Sequence, residues 1–519
     1  MKASSLRFLL ATAMLLRFGS APSAAQTAVA ATPPPRIDIL LWFDTEDYLL
    51  PADDDACKRL AGMLTERGIR ATFKVVGEKA RVLERRGRQD VIDALRRHAI
   101  GYHANLHSVH PTPSEYLEDC GFLDGIAEFI RREGSGAEDV RRIFGVPTLV
   151  CYGQPGSSWA AQAIAALPAI GVAPGGQPCY VDEGSHVGLN EQPFWYAGAL
   201  NVYHMGENVT RMELHDPAAL GPAESKAAAI AARLAQVGGG LISIYYHPCE
   251  WVHEQFWDGV NFAKGRNPPR EEWKAPPQLP PEETEAAFQR FAQYLDFLKA
   301  LPGARFVTAE DLPQIYRDTV RTDGATREEL DELARRIVGE DTAIAQSADL
   351  QVINDKVFSL ADQFGLLAGA VSDFIAGKAL SFPRAAPTLL GPDGAPPPSR
   401  RENGISWPAF RDSVVDVADF LAREKRIPAR VFIGADPVPP IDYLAALAAA
   451  YLGFRQTGGA PESLALGSGL KVAPERFVAA DTPQLFGGWV IHRAGFRGPK
   501  LMEIARWQAW TLKPAVRAE

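Results

Sequence analysis

Extended runs of lysine or arginine are missing from this 519-residue chain, in which 54 basic residues face 63 acidic ones and the formal net charge is −9. Nothing here would recruit a phosphate backbone, so nucleic acid is not an expected partner. Cysteine is scarce, and Cys57, Cys120, Cys151, Cys179 and Cys249 lack the close paired spacing of a zinc knuckle or a redox motif. At least one must stay unpaired, and buried free thiols are the expected state. Long apolar runs are also lacking. The run from Phe8 to Leu16 is broken by Arg17 and falls short of the roughly 18 residues that a membrane span needs. Preceded by Lys2 and Arg7 and followed by Ser23-Ala24-Ala25 before Gln26, it has the form of a secretory signal cleaved after Ala25. No cysteine near that point offers a lipid attachment. The expectation is a secreted or periplasmic protein with no membrane span once the signal is removed.

The length calls for two or three domains, with barrels allowed to run large. From Arg36 to Tyr316, apolar strand-like runs alternate with helical patterns, the rhythm of a parallel sheet or barrel. Asp44, His103 and His247 each fall at the end of an expected strand: Ile37 to Phe43, Ile100 to His103 and Leu241 to Tyr246. Side chains at the carboxyl ends of such strands converge on the face where ligands bind. After Arg321 the rhythm changes, and a faint internal repeat appears at an offset of 80 residues. Asp362, Phe364, Leu367, Ala368 and Ala370 then face Asp442, Leu444, Leu447, Ala448 and Ala450, which predicts two repeat-like units of two helices each, at about 323–371 and 403–451. A proline-rich linker, 385–403, separates them.

Three segments carry chemistry. In Gly101-Tyr102-His103-Ala104-Asn105-Leu106-His107-Ser108 the two histidines stand four apart, so one helical turn would put both imidazoles on one face, a spacing that suits a single metal ion. The glutamate that follows the first histidine of a zincin is lacking, because Ala104 stands there, so a base and a third ligand must come from elsewhere. The first strand ends Asp44-Thr45-Glu46-Asp47, where one carboxylate can ligate while another acts as base. Strand alternation points Asp44 and Glu46 to one face, which favours Glu46 as ligand with Asp47 as the fallback. His247 ends the last strong strand, before Pro248, and an imidazole there suits protonation of an amine leaving group. The aromatics Trp251, Phe256 and Trp257 read first as core, and Trp159 reads equally as substrate contact or packing. His110, His204 and His215 read as loop or structural residues, and Asn208-Val209-Thr210 fits a glycosylation acceptor.

In this order, acidic strand end, histidine pair and late strand-end histidine, the motifs resemble those of the polysaccharide deacetylase (NodB-homology) superfamily, which includes carbohydrate esterase family 4. The resemblance implies an α/β fold with a distorted (β/α) barrel over 36–318, followed by a smaller, mostly helical region over 322–519. It implies a divalent metal, often zinc, and hydrolytic removal of acetyl groups from an N-acetylated glycan. On the matching positions, Asp44 takes the place of the catalytic base, His103 and His107 of the metal-binding histidines, His247 of the general acid, and Glu46 or Asp47 of the metal-binding aspartate. Two departures stand out. The acidic motif differs from the usual adjacent pair of aspartates, and Tyr152-Gly153-Gln154-Pro155 has Gly153 where the family carries an arginine that orients the base. Both mark an outlying branch, in which a small-molecule amide hydrolase or a non-catalytic glycan-binding protein is the alternative. Ser406 to Tyr451 also looks like the pseudomurein-binding repeats, which implies cell-wall polymer as a partner of the C-terminal region.

Overall fold

The computed structural model describes residues 35–189, 192–203, 210–339, 347–399, 404–464, 466, 469–487, 489 and 491–518. The export segment through Ala25, His204 and the Asn208-Val209 part of the acceptor triplet lie outside the described residues. Residues Pro35 to Glu519 form one compact unit.

The first strand, β1 (Ile37–Thr45), is buried along its whole length, and between Asp38 and Asp44 it is apolar on both faces, as a central parallel strand covered on both sides is. It leads into α1 (Pro51–Glu66), β2 (Thr72–Val75), α2 (Gly77–Arg85), β3 (Ala99–Tyr102) and α3 (Phe122–Phe144). Proline in the first turn of α1 and left-handed Gly145 after α3 mark the helix ends as sequence preference would place them. Then come β4 (Cys179–Val181), β5 (Phe194–Tyr196), β6 (Ala199–Val202), α4 (Leu220–Gln236), β7 (Gly240–Tyr246), α5 (Pro281–Ala300) and β8 (Ala304–Val307).

The parallel sheet runs β7-β1-β2-β3, with β8 beside the first half of β1. Single parallel bridges from Tyr102 to Tyr152 and from Tyr152 to Tyr180 continue it to β4, which pairs with β6. The α/β architecture is the one expected. The hydrogen-bonded ladder stays open between β6 and β7 among the described residues. One face of the sheet packs on helices through Ile39, Leu41, Phe43, Phe73, Ile242 and Tyr246. The other gathers Leu40, Trp42, Cys151, Cys179, Val181, Leu200, Val202 and Leu241 into a separate inner cluster. All five cysteines are free thiols.

Register fixes the site. Asp44 lies beside Lys74 of β2 and Phe43 beside Tyr246 of β7, so the next step of the β1–β7 register brings Asp44 level with His247.

Beyond the sheet, α6 (Arg327–Val338), the hairpin β9 (Gln351–Ile353) and β10 (Lys356–Phe358), and α7 (Leu360–Ile375) form one helix–hairpin–helix run. A second follows in α8 (Trp407–Glu424), β11 (Val431–Ile433), β12 (Asp436–Val438) and α9 (Pro440–Thr457). The two runs share a hydrophobic cluster that includes Leu333, Phe364, Phe410, Tyr443 and Leu447. The chain then returns to the sheet: after α10 (Pro499–Gln508), β13 (Lys513–Pro514) pairs with β5, and Phe486, Leu501 and Met502 pack into the main core.

Candidate active site

Asp44, Glu46, His103, His107 and His247 line one cavity of about 360 Å³ at the carboxyl ends of β1, β3 and β7. Each is at most 9% exposed. His103 follows the last residue of β3, where its amide donates to the Val75 carbonyl and continues the ladder by one residue. The next four residues do not make the helical turn that the four-residue spacing predicted. Ala104 and His107 both have positive φ, 62° and 56°, so the loop reverses tightly and brings the imidazoles together through backbone curvature. Such conformations cost on the order of 1–3 kcal/mol and persist only where the surroundings impose them. Here Glu133 of α3 accepts hydrogen bonds from the Asn105 amide (2.7 Å) and the Tyr102 hydroxyl (2.8 Å), and the Ala104 and Asn105 carbonyls accept from the Gly77 and Glu78 amides at the start of α2.

The two imidazoles present Nε2 to the same carboxylate: His107 Nε2 lies 2.8 Å and His103 Nε2 3.4 Å from Glu46 Oε2. Their Nδ1 atoms are occupied behind. His103 Nδ1 is 3.0 Å from the Gly153 carbonyl, and His107 Nδ1 is 2.8 Å from Ser108 Oγ, which donates to Asp258 Oδ2 at 3.0 Å. Fixing one imidazole nitrogen so that the other points at a common centre is how histidine ligands are oriented. One ligand atom from each of Glu46, His103 and His107 fits within 4.8 Å of the others. Burial disfavours the Glu46 anion, but His107 above all, with His103, outweighs it and holds the carboxyl well below its usual range. Burial also disfavours the His107 imidazolium, yet Glu46 above all raises its pKa overall. The donor set and its orientation fit a divalent metal ion.

Asp47 is placed apart from this cluster. Its carboxylate accepts from the Leu49 amide (2.8 Å) and lies 3.1 Å from His253 Nδ1, on the opposite side of the chain from Glu46.

Asp44 sits between two cationic side chains. Lys74 Nζ is 2.8 Å from Oδ1, and His247 Nε2 is 3.7 Å from Oδ2. His247 Nδ1 is 2.9 Å from Glu250 Oε1, which also accepts from the His247 amide at 2.8 Å, and Arg211 pairs with Glu250 from the other side. Burial works against the His247 imidazolium, but the hydrogen bond to Glu250 and the charges of Glu46, Glu250 and Asp44 prevail, and its pKa is pushed up to about 10.

The structure brings in residues that sequence reasoning did not single out. Glu250 could have been found, since it stands three residues after His247 and closes a capping box on the turn Pro248–Trp251. Lys74 is a charged residue inside an apolar strand run, which is a signal in itself. Asp258 and Trp489 carry no such mark. Trp489, from the segment that returns to the sheet, lines the cavity and donates from Nε1 to Asp258 Oδ2 at 2.5 Å. Phe256 also lines it, edge-on to His247 at 4.9 Å, whereas Trp159, Trp251 and Trp257 are buried packing residues. A second cavity of about 520 Å³ adjoins the first and shares Gln154, Gly156, Glu183 and Trp489 with it.

No protein-family model matches the chain, and no curated protein matches it. Among solved structures it is similar to a candidate polysaccharide deacetylase of Mycobacterium smegmatis, with 15% identity over 55% of this chain and 93% of that one at a TM-score of 0.33. It is also similar to a family 4 acetyl xylan esterase of Clostridium thermocellum, with 14% identity over 53% and 90% at a TM-score of 0.26. A peptidoglycan deacetylase of Bdellovibrio bacteriovorus shows 12% identity over 53% of each chain at a TM-score of 0.26.

Proposed function

We propose that this protein is an exported, metal-dependent hydrolase that removes N-acetyl groups from a carbohydrate polymer. The observation that carries the reading is the convergence, from three strand ends, of a Glu46-His103-His107 donor set with a carboxylate and an imidazolium poised beside it. Glu46, His103 and His107 would hold the ion, which when bound polarises an amide carbonyl and lowers the pKa of water. Asp44 takes the proton from the attacking water through Oδ2, the oxygen that Lys74 does not occupy. His247, charged and anchored by Glu250, gives a proton to the departing amine as acetate forms. Phe256 and Trp489 offer flat apolar faces at the cavity wall, and the adjoining cavity extends the space beyond one acetamido unit, which supports a glycan over a small amide.

The test is acetate release by the zinc-supplied full chain from N-acetylglucosamine oligomers, peptidoglycan fragments, acetylated xylan and small soluble amides. Release from one of the N-acetylated glycans together with a free amine is expected, and release from acetylated xylan alone, which frees a hydroxyl and no amine, would overturn the N-acetyl assignment. No release from any of them by folded, metal-loaded protein would overturn the reading.

The pH dependence is expected to follow His247. The Glu250 hydrogen bond, the strongest of the interactions that raise its pKa, does not depend on the metal ligands, so activity is expected to hold on the alkaline side above the ordinary imidazole range until that proton is lost. Glu250→Gln removes the carboxylate that raises this pKa, and the imidazolium then deprotonates at lower pH. The alkaline limb of the kcat profile should move down by about one unit or more, with the acidic limb in place. An alkaline limb that stays put in this variant would remove His247 from the role of acid.

A further inference from the structure

We infer that Lys74 is the positioning residue of Asp44, and that residue 153 is glycine because the Lys74 ammonium, with Asp182 Oδ2 and the Val181 carbonyl, fills the space a side chain there would occupy. The inference rests on the hydrolase reading above and adds to it the device that sets the orientation of the base. Lys74 lies on β2, wholly buried, where an unpaired ammonium would be prohibitively costly. Its Nζ is 2.8 Å from Asp44 Oδ1, donates to the Val181 carbonyl at 2.8 Å and lies 3.3 Å from Asp182 Oδ2, with the Trp42 ring below it at 4.2 Å. Burial opposes its charge, but Asp182 and Asp44 outweigh that and raise its pKa, so it stays an ammonium.

The anchor is itself fixed, because Asp182 Oδ1 accepts from the Glu183 amide at 2.9 Å and from Gln154 Nε2 at 3.3 Å. A continuous line therefore runs from the 182–184 backbone through Asp182 and Lys74 to Asp44 Oδ1, and it leaves Oδ2 turned toward His247 and the cavity. A Cβ built on Gly153 would overlap Lys74 Nζ and come within 2.6 Å of Asp182 Oδ2 and 2.7 Å of the Val181 carbonyl. The strand segment that holds Gly153 thus stays bare at the point where β2 delivers the cation. Lys74 does not line the cavity and meets the catalytic groups through its ion pair with Asp44.

The test uses the full chain, zinc-loaded, with acetate release from an N-acetylglucosamine oligomer. Lys74→Met is expected to lower kcat by about 10²-fold, the scale of a misplaced catalytic group, with KM and zinc content near wild type. Because Lys74→Met leaves Asp182 buried without its partner and could unfold, Lys74→Met/Asp182→Asn is measured beside it and is expected to show the same loss in a folded protein. Gly153→Ala should lower kcat by at least tenfold in the wild-type background and by a clearly smaller factor in Lys74→Ala, where only Asp182 Oδ2 and the Val181 carbonyl still crowd the added Cβ. A folded, zinc-loaded Lys74→Met/Asp182→Asn with kcat within threefold of wild type, or an equal Gly153→Ala loss with and without Lys74, would overturn the inference. Either result with an active wild type leaves the proposed reaction standing, whereas an inert wild type refutes the reaction itself.

Discussion

Asp44→Asn is expected to lower kcat for acetate release by about 10³-fold while the protein keeps its fold and its full complement of metal, within the range found for removal of a general base. The substitution keeps size and shape. It removes the charge at Oδ2, 3.7 Å from His247 Nε2, where the proton must be accepted. Metal should remain because Asp44 is not one of the three converging donors, and the Nε2 atoms of His103 and His107 face Glu46. The fold should remain because Lys74 keeps Asp182 and the Val181 carbonyl as partners. Loss of metal together with activity would instead make Asp44 a ligand, and retention of activity would place the base elsewhere.

Glu46→Gln and Asp47→Asn, neighbours in sequence, are expected to separate completely. Glu46→Gln removes the carboxylate that lies against the Nε2 atoms of both imidazoles and should weaken metal binding by at least about 10²-fold, the upper end of what even an outer partner of a ligand costs. Activity at limiting metal should fall with it. Asp47→Asn should leave metal content and kcat unchanged. It weakens a buried contact with His253, alters the turn closed by the Leu49 amide, and should cost about 1–3 kcal/mol of stability, read as a lower melting temperature. Metal analysis and a thermal melt on the two variants check both halves, and the reverse pattern would assign the ligand to Asp47.

The acidic strand end, the histidine pair and His247 were legible because a parallel strand's carboxyl end is set by its own apolar run, and Asp44, His103 and His247 each stand one position past such a run, with Glu46 and His107 shortly after. Alternation along β1 was legible for the same reason and separates Glu46 from Asp47 on the chain. The spacing of His103 and His107 was legible as a pair but not as a conformation. A helix and a tight left-handed loop both bring residues four apart together, and what decides for the loop is Glu133 on a distant helix. Lys74 carried a signal as a charge in an apolar run, but its partner did not, and Asp182 and Asp258 were beyond reach, because their meaning lies in register and packing between segments far apart in sequence, as with the Trp489–Asp258 hydrogen bond. The return of 473–518 to the sheet had no local signal either, since β13 is only two residues long and is defined by its partner β5.

That return places Trp489 at the end of a chain of contacts, Trp489 to Asp258 to Ser108 to His107, so the cavity wall and the histidine share one hydrogen-bonded line. The C-terminal region is thus part of how the cavity is built.

If Glu46, His103 and His107 hold a metal on which hydrolysis depends, stripping the full chain with a chelator and titrating zinc back by calorimetry, while acetate release from an N-acetylated glycan is followed, will show it. Binding of one equivalent is predicted, with activity rising in step and levelling at that equivalent. Acetate release that survives complete removal of metal, or stoichiometric zinc binding unaffected by Glu46→Gln, would contradict it.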